Sequence, residues 1–175
     1  GMPYAGATTE YLIDPAGEAT NIFNGQIVIL GTDGYIALST ATGADLTSNA
    51  IGNVTGTGAL GVFVGCSYTN DQGQTVHSNY YPSGKLNGKA LVVDDPNVLF
   101  QAQLDGTGAQ TIIGNITKFA AVQSTSTGST VTGNSTSALD ATTQTTVGAF
   151  QIVAHVSDAG DAFPDVLVRF TNGAH

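Results

Sequence analysis

The segment His155-Val156-Ser157-Asp158 places an imidazole, a hydroxyl and a carboxylate within four residues. Those are the group types that a hydrolytic triad combines as base, nucleophile and orienting acid. The other histidines are His77 and His175, and no Gly-x-Ser-x-Gly elbow presents a nucleophile. A strand histidine followed by a loop acid accounts for the same residues, and no catalytic set is expected. Oxygen donors suited to calcium occur at Asn70-Asp71-Gln72-Gly73 and again at Asp158, Asp161 and Asp165. Neither stretch has the ligand density of a calcium loop, and tight turns use the same Asp, Asn and Gly. Asp94-Asp95 is a carboxylate pair by composition, but Pro96 and Asn97 follow it. Proline presets φ at the second position of a turn and Asp and Asn side chains bond nearby backbone, so these residues read as turn-forming. No metal or other cofactor is expected.

The aromatic residues Phe63, Tyr68, Tyr80 and Tyr81, with amides nearby, are the equipment of a sugar-stacking platform. Tyrosine serves equally in cores and subunit interfaces. Tyr4 and Tyr11 lie in the first 20 residues, where Gly, Ala, Thr and Pro mix without sustained periodicity. This reads as an N-terminal arm, residues 1–20, able to dock on a partner, ahead of a single β domain over 21–175. Tyr4, Tyr11, Tyr80 and Tyr81 are therefore the candidate interaction residues. The Asn-x-Thr triplets at Asn53, Asn115 and Asn134 accept glycans only in a eukaryotic secretory setting.

These groups need positioning, and the strongest pattern is at residues 88–104. Apolar runs flank Asp94-Asp95-Pro96-Asn97, and Val98, Phe100, Ala102 and Leu104 alternate with Leu99, Gln101 and Gln103. That period of two predicts a strand with one face in a core, and the whole stretch predicts a β-hairpin. A second hairpin is expected where Gln26-Ile27-Val28-Ile29-Leu30 meets Tyr35-Ile36-Ala37-Leu38 across Gly31-Thr32-Asp33-Gly34, with glycine at positive φ. A strand over 60–68 returns at Thr75-Val76-His77, and a closing hairpin joins 149–156 to 166–170. Residues 109–116 allow a helical turn or a short strand, and 119–123 predict a strand. The Thr- and Gly-rich 40–57 stretch carries at most one short strand near 51–55. The Ser/Thr/Gly-rich 124–146 stretch predicts a long loop or exposed edge, anchored by Val131, Ala138 and Leu139. Many short strands without a long amphipathic helix point to an all-β fold, an antiparallel β-barrel or β-sandwich with long Ser/Thr/Gly-rich loops and an N-terminal arm.

Length and charge bound the function. At 175 residues the chain has material for a full core without staples, and its one cysteine, Cys66, allows no intrachain disulfide. Only 4 Lys+Arg face 13 Asp+Glu, a net charge of −9, which disfavours nucleic acid as a partner because phosphates need clustered cations. No apolar run reaches the length of a membrane-spanning helix, so a membrane partner is not expected either. Gly1 ahead of Met2 reads as a tag remnant, with translation expected to begin at Met2.

Three blocks carry a resemblance: Gly61-Val62-Phe63-Val64-Gly65-Cys66-Ser67-Tyr68-Thr69, then Tyr80-Tyr81-Pro82-Ser83-Gly84, then Val92-Val93-Asp94-Asp95-Pro96-Asn97-Val98-Leu99-Phe100-Gln101-Ala102-Gln103. With Gly133-Asn134-Ser135, Leu139-Asp140, Phe150-Gln151-Ile152-Val153 and Asp165-Val166-Leu167-Val168-Arg169-Phe170, the chain resembles structural proteins of tailed bacteriophages, small head proteins of the decoration or cement type. The order and spacing of turn-plus-strand blocks from about Gly61 onward carry the likeness, not any one motif. The resemblance implies a non-enzymatic virion protein, without cofactor, on the outer capsid surface. Its implied partners are the major capsid protein and further copies of itself, often as a homotrimer. The alternative, from the aromatic residues, is a carbohydrate- or receptor-binding β-module on a virion or cell surface.

Overall fold

A computed structural model describes residues 8–39, 59–95, 97–121, 123, 127–142 and 148–171. The fold is all-β, built of antiparallel sheets. Among the described residues there is no α-helix, only a 3-10 turn at Gln110–Ile112. The main sheet orders β1 (Thr8–Leu12), β8 (Leu86–Val93), β5 (Gly61–Thr69), β3 (Ile27–Leu30) and β4 (Ile36–Leu38), with β6 (Thr75–Ser78) also paired to β5. A second sheet orders β10 (Ile116–Thr117), β11 (Phe150–His155), β12 (Asp165–Phe170) and β9 (Phe100–Gln103), and a two-stranded ribbon pairs β2 (Ile22–Phe23) with β7 (Tyr80–Tyr81). No sheet closes on itself among the described residues, so the architecture takes the sandwich form of the expected class.

The main sheet is the middle layer because its central strands bury both faces. Ile27 and Val62, paired across β3 and β5, enter one apolar cluster with Leu104, Phe150, Ile152, Val166 and Val168 of the second sheet and its loops. Val28 and Phe63, the next residues along, enter a second cluster with Ile13, Ile22, Ile36, Tyr81 and Val92. A strand buried on both faces reads as a continuous apolar run, which is why Ile27-Val28-Ile29-Leu30 does not alternate. The 26–38 hairpin forms as expected: Val28 pairs with Leu38 and Leu30 with Ile36, and the turn closes with Gly34 at φ 84°, where a side chain would be strained. The closing hairpin also forms, β11 against β12.

The expected 88–104 hairpin does not form. β8 pairs with β1 and β5, while β9 pairs with β12, so the stretch crosses from one sheet to the other. Each run satisfies its own periodicity against a different layer, and pattern alone cannot say which. The tight turn within the crossing is real. Asp95 Oδ1 accepts the Asn97 N–H at 2.8 Å and the Asp95 carbonyl accepts the Val98 N–H at 3.3 Å. Pro96 itself lies outside the described residues.

Other expectations shift for similar reasons. From Thr8 the arm is the edge strand β1, paired with β8 in register Tyr11↔Ala90. Its exposed Thr8, Thr9 and Glu10 gave no apolar alternation to detect. Residues 109–116 split into the 3-10 turn and the start of β10. Among the described residues of 119–123, the predicted strand is represented by a bridge from Phe119 to Leu139. Residues 40–57, with their possible strand, fall outside the described residues, as does Tyr4. Leu139 is buried as an anchor should be, but Val131 is 93% exposed.

The β1 edge is latched to the crossing, since the Tyr11 hydroxyl donates to Asp94 Oδ2 at 2.8 Å. Burial first, then the hydrogen bond and charge of Asp94, push Tyr11 up to about 12 from 10.0. A folded-state value above the unfolded one contributes stability that is fully present below pH 10 and lost as pH rises toward 12. Tyr11→Phe is expected to cost about 1 kcal/mol at neutral pH and to be less sensitive to alkali than the wild type. Urea melts at pH 8 and pH 11 check this: the gap between the two proteins should shrink at the higher pH, and an equal gap would remove the latch.

Candidate interaction surface

Most of the residues that could do chemistry are engaged by the fold, although the buried Nδ1 of His155 has no hydrogen-bond partner and Asp158 is exposed. His155 Nε2 lies 3.3 Å from the Ala109 carbonyl, while the Ser157 hydroxyl accepts the Asp165 N–H at 2.9 Å, so the hydroxyl serves its own loop. Asn70 Oδ1 accepts the N–H groups of Gln72 and Gln74 at 3.0 and 2.8 Å, and Asp71 pairs with Lys85 at 2.5 Å. Asn70 is thus committed to the β5–β6 turn, and Asp71 ties that turn to the residue before β8. No group of three or more His, Cys, Asp or Glu that could hold a metal occurs among the described residues. A cleft of about 450 Å³ between the layers is lined by apolar, amide and hydroxyl groups such as Ile27, Val64, Phe119, Gln101 and Ser137.

The tyrosines separate. Successive strand residues point to opposite faces, and Tyr81 turns inward, fully buried, with its hydroxyl donating to the Lys85 carbonyl and its ring edge-on to Tyr68. Tyr80 turns the other way and stacks on the buried ring of Phe23 with centroids 5.5 Å apart. Tyr11 is half-buried in the latch. Tyr81 is thus a core residue, while Tyr11 and Tyr80 are half-buried, each with one side-chain contact into the fold.

On the main sheet the exposed large apolar residues are aliphatic. Where the second sheet does not cover the main sheet, β1 and β8 turn outward Leu12 and Leu91, 52% and 41% exposed. The register sets Leu12 opposite Lys89 and Glu10 opposite Leu91, and Lys89 and Glu10 pair at 3.0 Å between them. Leu91 also edges a shallow depression of about 580 Å³ that includes Val64, His77, Tyr80 and Val131. Val131 stands at the tip of an ordered turn. Ser129 Oγ accepts the Val131 and Thr132 N–H groups at 3.3 and 3.4 Å, the Ser129 carbonyl accepts the Gly133 N–H at 2.7 Å, and Gly128 and Ser135 form a bridge. The base of the turn is fastened to the ribbon, with Asn24 N–H donating to the Gly133 carbonyl at 2.9 Å and Ser135 N–H to the Asn24 carbonyl at 2.8 Å.

Three exposed aliphatics, Leu12, Leu91 and Val131, with a neutralised ion pair between the first two, make an interface-like surface: apolar, framed by polar groups and carried on fixed backbone. Leu91 sits between the buried Ala90 and Val92 and is exposed because the second sheet leaves that part of the main sheet uncovered, which its local pattern does not reveal. Val131, isolated among Ser, Thr and Gly, reads equally well as an anchor. The chain matches no protein-family model, no curated protein and no solved structure.

Proposed function

We propose that the chain is a non-enzymatic structural protein of a tailed-phage head, which binds the assembled capsid from outside as a homo-oligomer, trimeric by the resemblance, and stabilises it. The observation that carries this reading is where the resembling blocks fall: Gly61–Thr69 is β5, Tyr80–Tyr81 is β7, and the third block runs from the end of β8 through the turn into β9. The blocks thus lie on strands of the main sheet, of the ribbon and of the second sheet and on the turn between the sheets, so the reading rests on a likeness spread along the chain and not on one surface feature. A sugar-binding reading loses support because Tyr81 is buried and one face of the Tyr80 ring is taken by Phe23.

The mechanism is linkage. A protein that binds the closed lattice and not dissociated capsomers stabilises the lattice by RT ln(1 + [L]/Kd) per site. Joining copies makes weak contacts cooperate through high local concentration. The surface around Leu12, Leu91 and Val131 is apolar with its nearest charges paired, which suits contact between copies of an acidic chain.

The test uses heads of the encoding phage freed of this protein. Wild type is expected to be a trimer by light scattering, to co-sediment with heads and to raise the temperature at which they open. The pair Leu91→Lys and Val131→Lys should keep the melting temperature within a few degrees, since both residues are exposed, while self-association weakens about a hundredfold. A wild-type monomer that never binds heads would sink the reading.

A further inference from the structure

We propose that the loop at residues 157–164 is a docking knob, with the ring of Phe163 as its anchor, for a positively charged protein surface that carries an apolar pocket. Resting on the head-protein reading, that surface belongs to the capsid lattice. Phe163 is 56% exposed and has φ 59°, in the left-handed region. Bulky residues rarely adopt that conformation, and the following Pro164 further disfavours helical backbone at this position. The conformation is held from several sides. The Phe163 carbonyl accepts Gln103 Nε2 at 3.2 Å, the Pro164 carbonyl accepts the Leu104 N–H at 3.0 Å, and Gly160 N–H donates to the Gly108 carbonyl at 2.8 Å. A strained backbone, pinned so as to hold an apolar ring in solvent, is the arrangement found where strain serves a binding site.

Charge selects the partner. Asp158 and Asp161 are exposed in the loop and Asp165 ends it, while the ion pairs recorded among the described residues, Lys85–Asp71 and Lys89–Glu10, lie elsewhere. Two copies meeting through this loop would bring like charges together, whereas a basic partner is both attracted and oriented. The knob therefore differs from the neutral surface around Leu91. An assembly that must bind itself and a lattice needs two such surfaces.

The experiment measures uptake of wild type, Phe163→Ala, Phe163→Gly and the double variant Asp158→Asn/Asp161→Asn on the same stripped heads, at low and high salt. Both Phe163 variants are expected to remain trimeric and to bind about thirtyfold more weakly or worse. Phe163→Gly should also melt a few degrees higher than wild type, because glycine adopts positive φ without strain. Wild-type binding should fall with salt, and the Asp variant should bind more weakly at low salt and depend less on salt. Wild type that binds heads with the Phe163 variants binding equally would overturn this inference alone. Lost binding with no salt dependence would overturn the basic partner, and a lower melting temperature for Phe163→Gly would overturn the strained knob. Heads that take up no wild type would overturn the head-protein reading and this inference together.

Discussion

Replacing Gln123 by leucine is expected to lower the unfolding free energy by about 4 kcal/mol, and the melting temperature by about 10 °C, although the side-chain volume hardly changes. Gln123 is fully buried, and its amide acts as a substitute for a strand's peptide group. Oε1 accepts the Ile27 N–H at 2.9 Å, while Nε2 donates to the Ile27 carbonyl at 3.3 Å and to the Ser39 carbonyl at 3.2 Å. Leucine would leave the Ile27 N–H and the Ser39 carbonyl without those bonds where water does not reach, at about 1–3 kcal/mol each before relaxation, while the Ile27 carbonyl keeps the Ser39 N–H at 3.1 Å. Ile27 is also the residue through which β3 enters the cluster between the sheets, so the loss falls on the sandwich interface itself. Chemical denaturation with calorimetry decides the matter: a change below about 1 kcal/mol would mean that the strand end is held by something other than this amide.

Gln123 also marks the limit of what the residues alone reveal. The 119–123 stretch looked like a strand because its composition is apolar and ends in an amide. The pairing is instead made by one side chain reaching across 96 positions to Ile27. Gln26 behaves in the same way, with Oε1 accepting the Phe23 N–H and Nε2 donating to Thr127 Oγ1, both at 2.8 Å. Local turn chemistry was legible because it depends on neighbours: the 31–34 turn, the Asn70 turn and the Asp95 turn all form. Strand existence was legible at β3, β5, β8, β9, β11 and β12 because burial imposes periodicity or a continuous run. Strand partnership was not. Whether β8 and β9 pair with each other or with separate sheets leaves the same inward and outward residues, so the crossing at Asp94 and Asp95 could not be told from a hairpin.

The candidate surface was harder still, for a related reason. An aromatic residue signals large area, but not whether that area faces a partner or a neighbour within the chain. Tyr81 was drawn into the core against Tyr68, while Tyr80 and Tyr11 are half-buried against Phe23 and Asp94. Exposure fell instead on Leu91 and Val131, whose positions depend on which part of the main sheet the second sheet leaves uncovered. That is a property of layer placement, and no single strand's pattern contains it.

The second large effect is expected at Gly128, where core and surface meet. A Cβ at Gly128 would lie on the ring of Phe23, 2.6 Å from Cε2 and closer still to Cγ and Cδ2. The ring has no room to retreat, since Phe23 is fully buried, paired with Tyr80 across the ribbon and stacked on it. The backbone carrying residue 128 must move, which disturbs the flanking bonds from Ser129 N–H to the Asn134 carbonyl and from Thr136 N–H to the Thr127 carbonyl and, through them, the Gly133 and Ser135 bonds that seat the turn on Asn24. Gly128→Ala is therefore expected to cost about 2–3 kcal/mol through overpacking, to speed amide exchange at Asn24 and Ser135, and to displace Val131. Self-association should weaken even though no exposed residue has changed. Val131→Lys gives the comparison: it should lose association with the melting temperature unchanged, whereas Gly128→Ala should lose both. If Gly128→Ala kept its stability and its oligomeric state, the turn would not be seated on Phe23, and Val131 would lose its claim to be a fixed element of the interface.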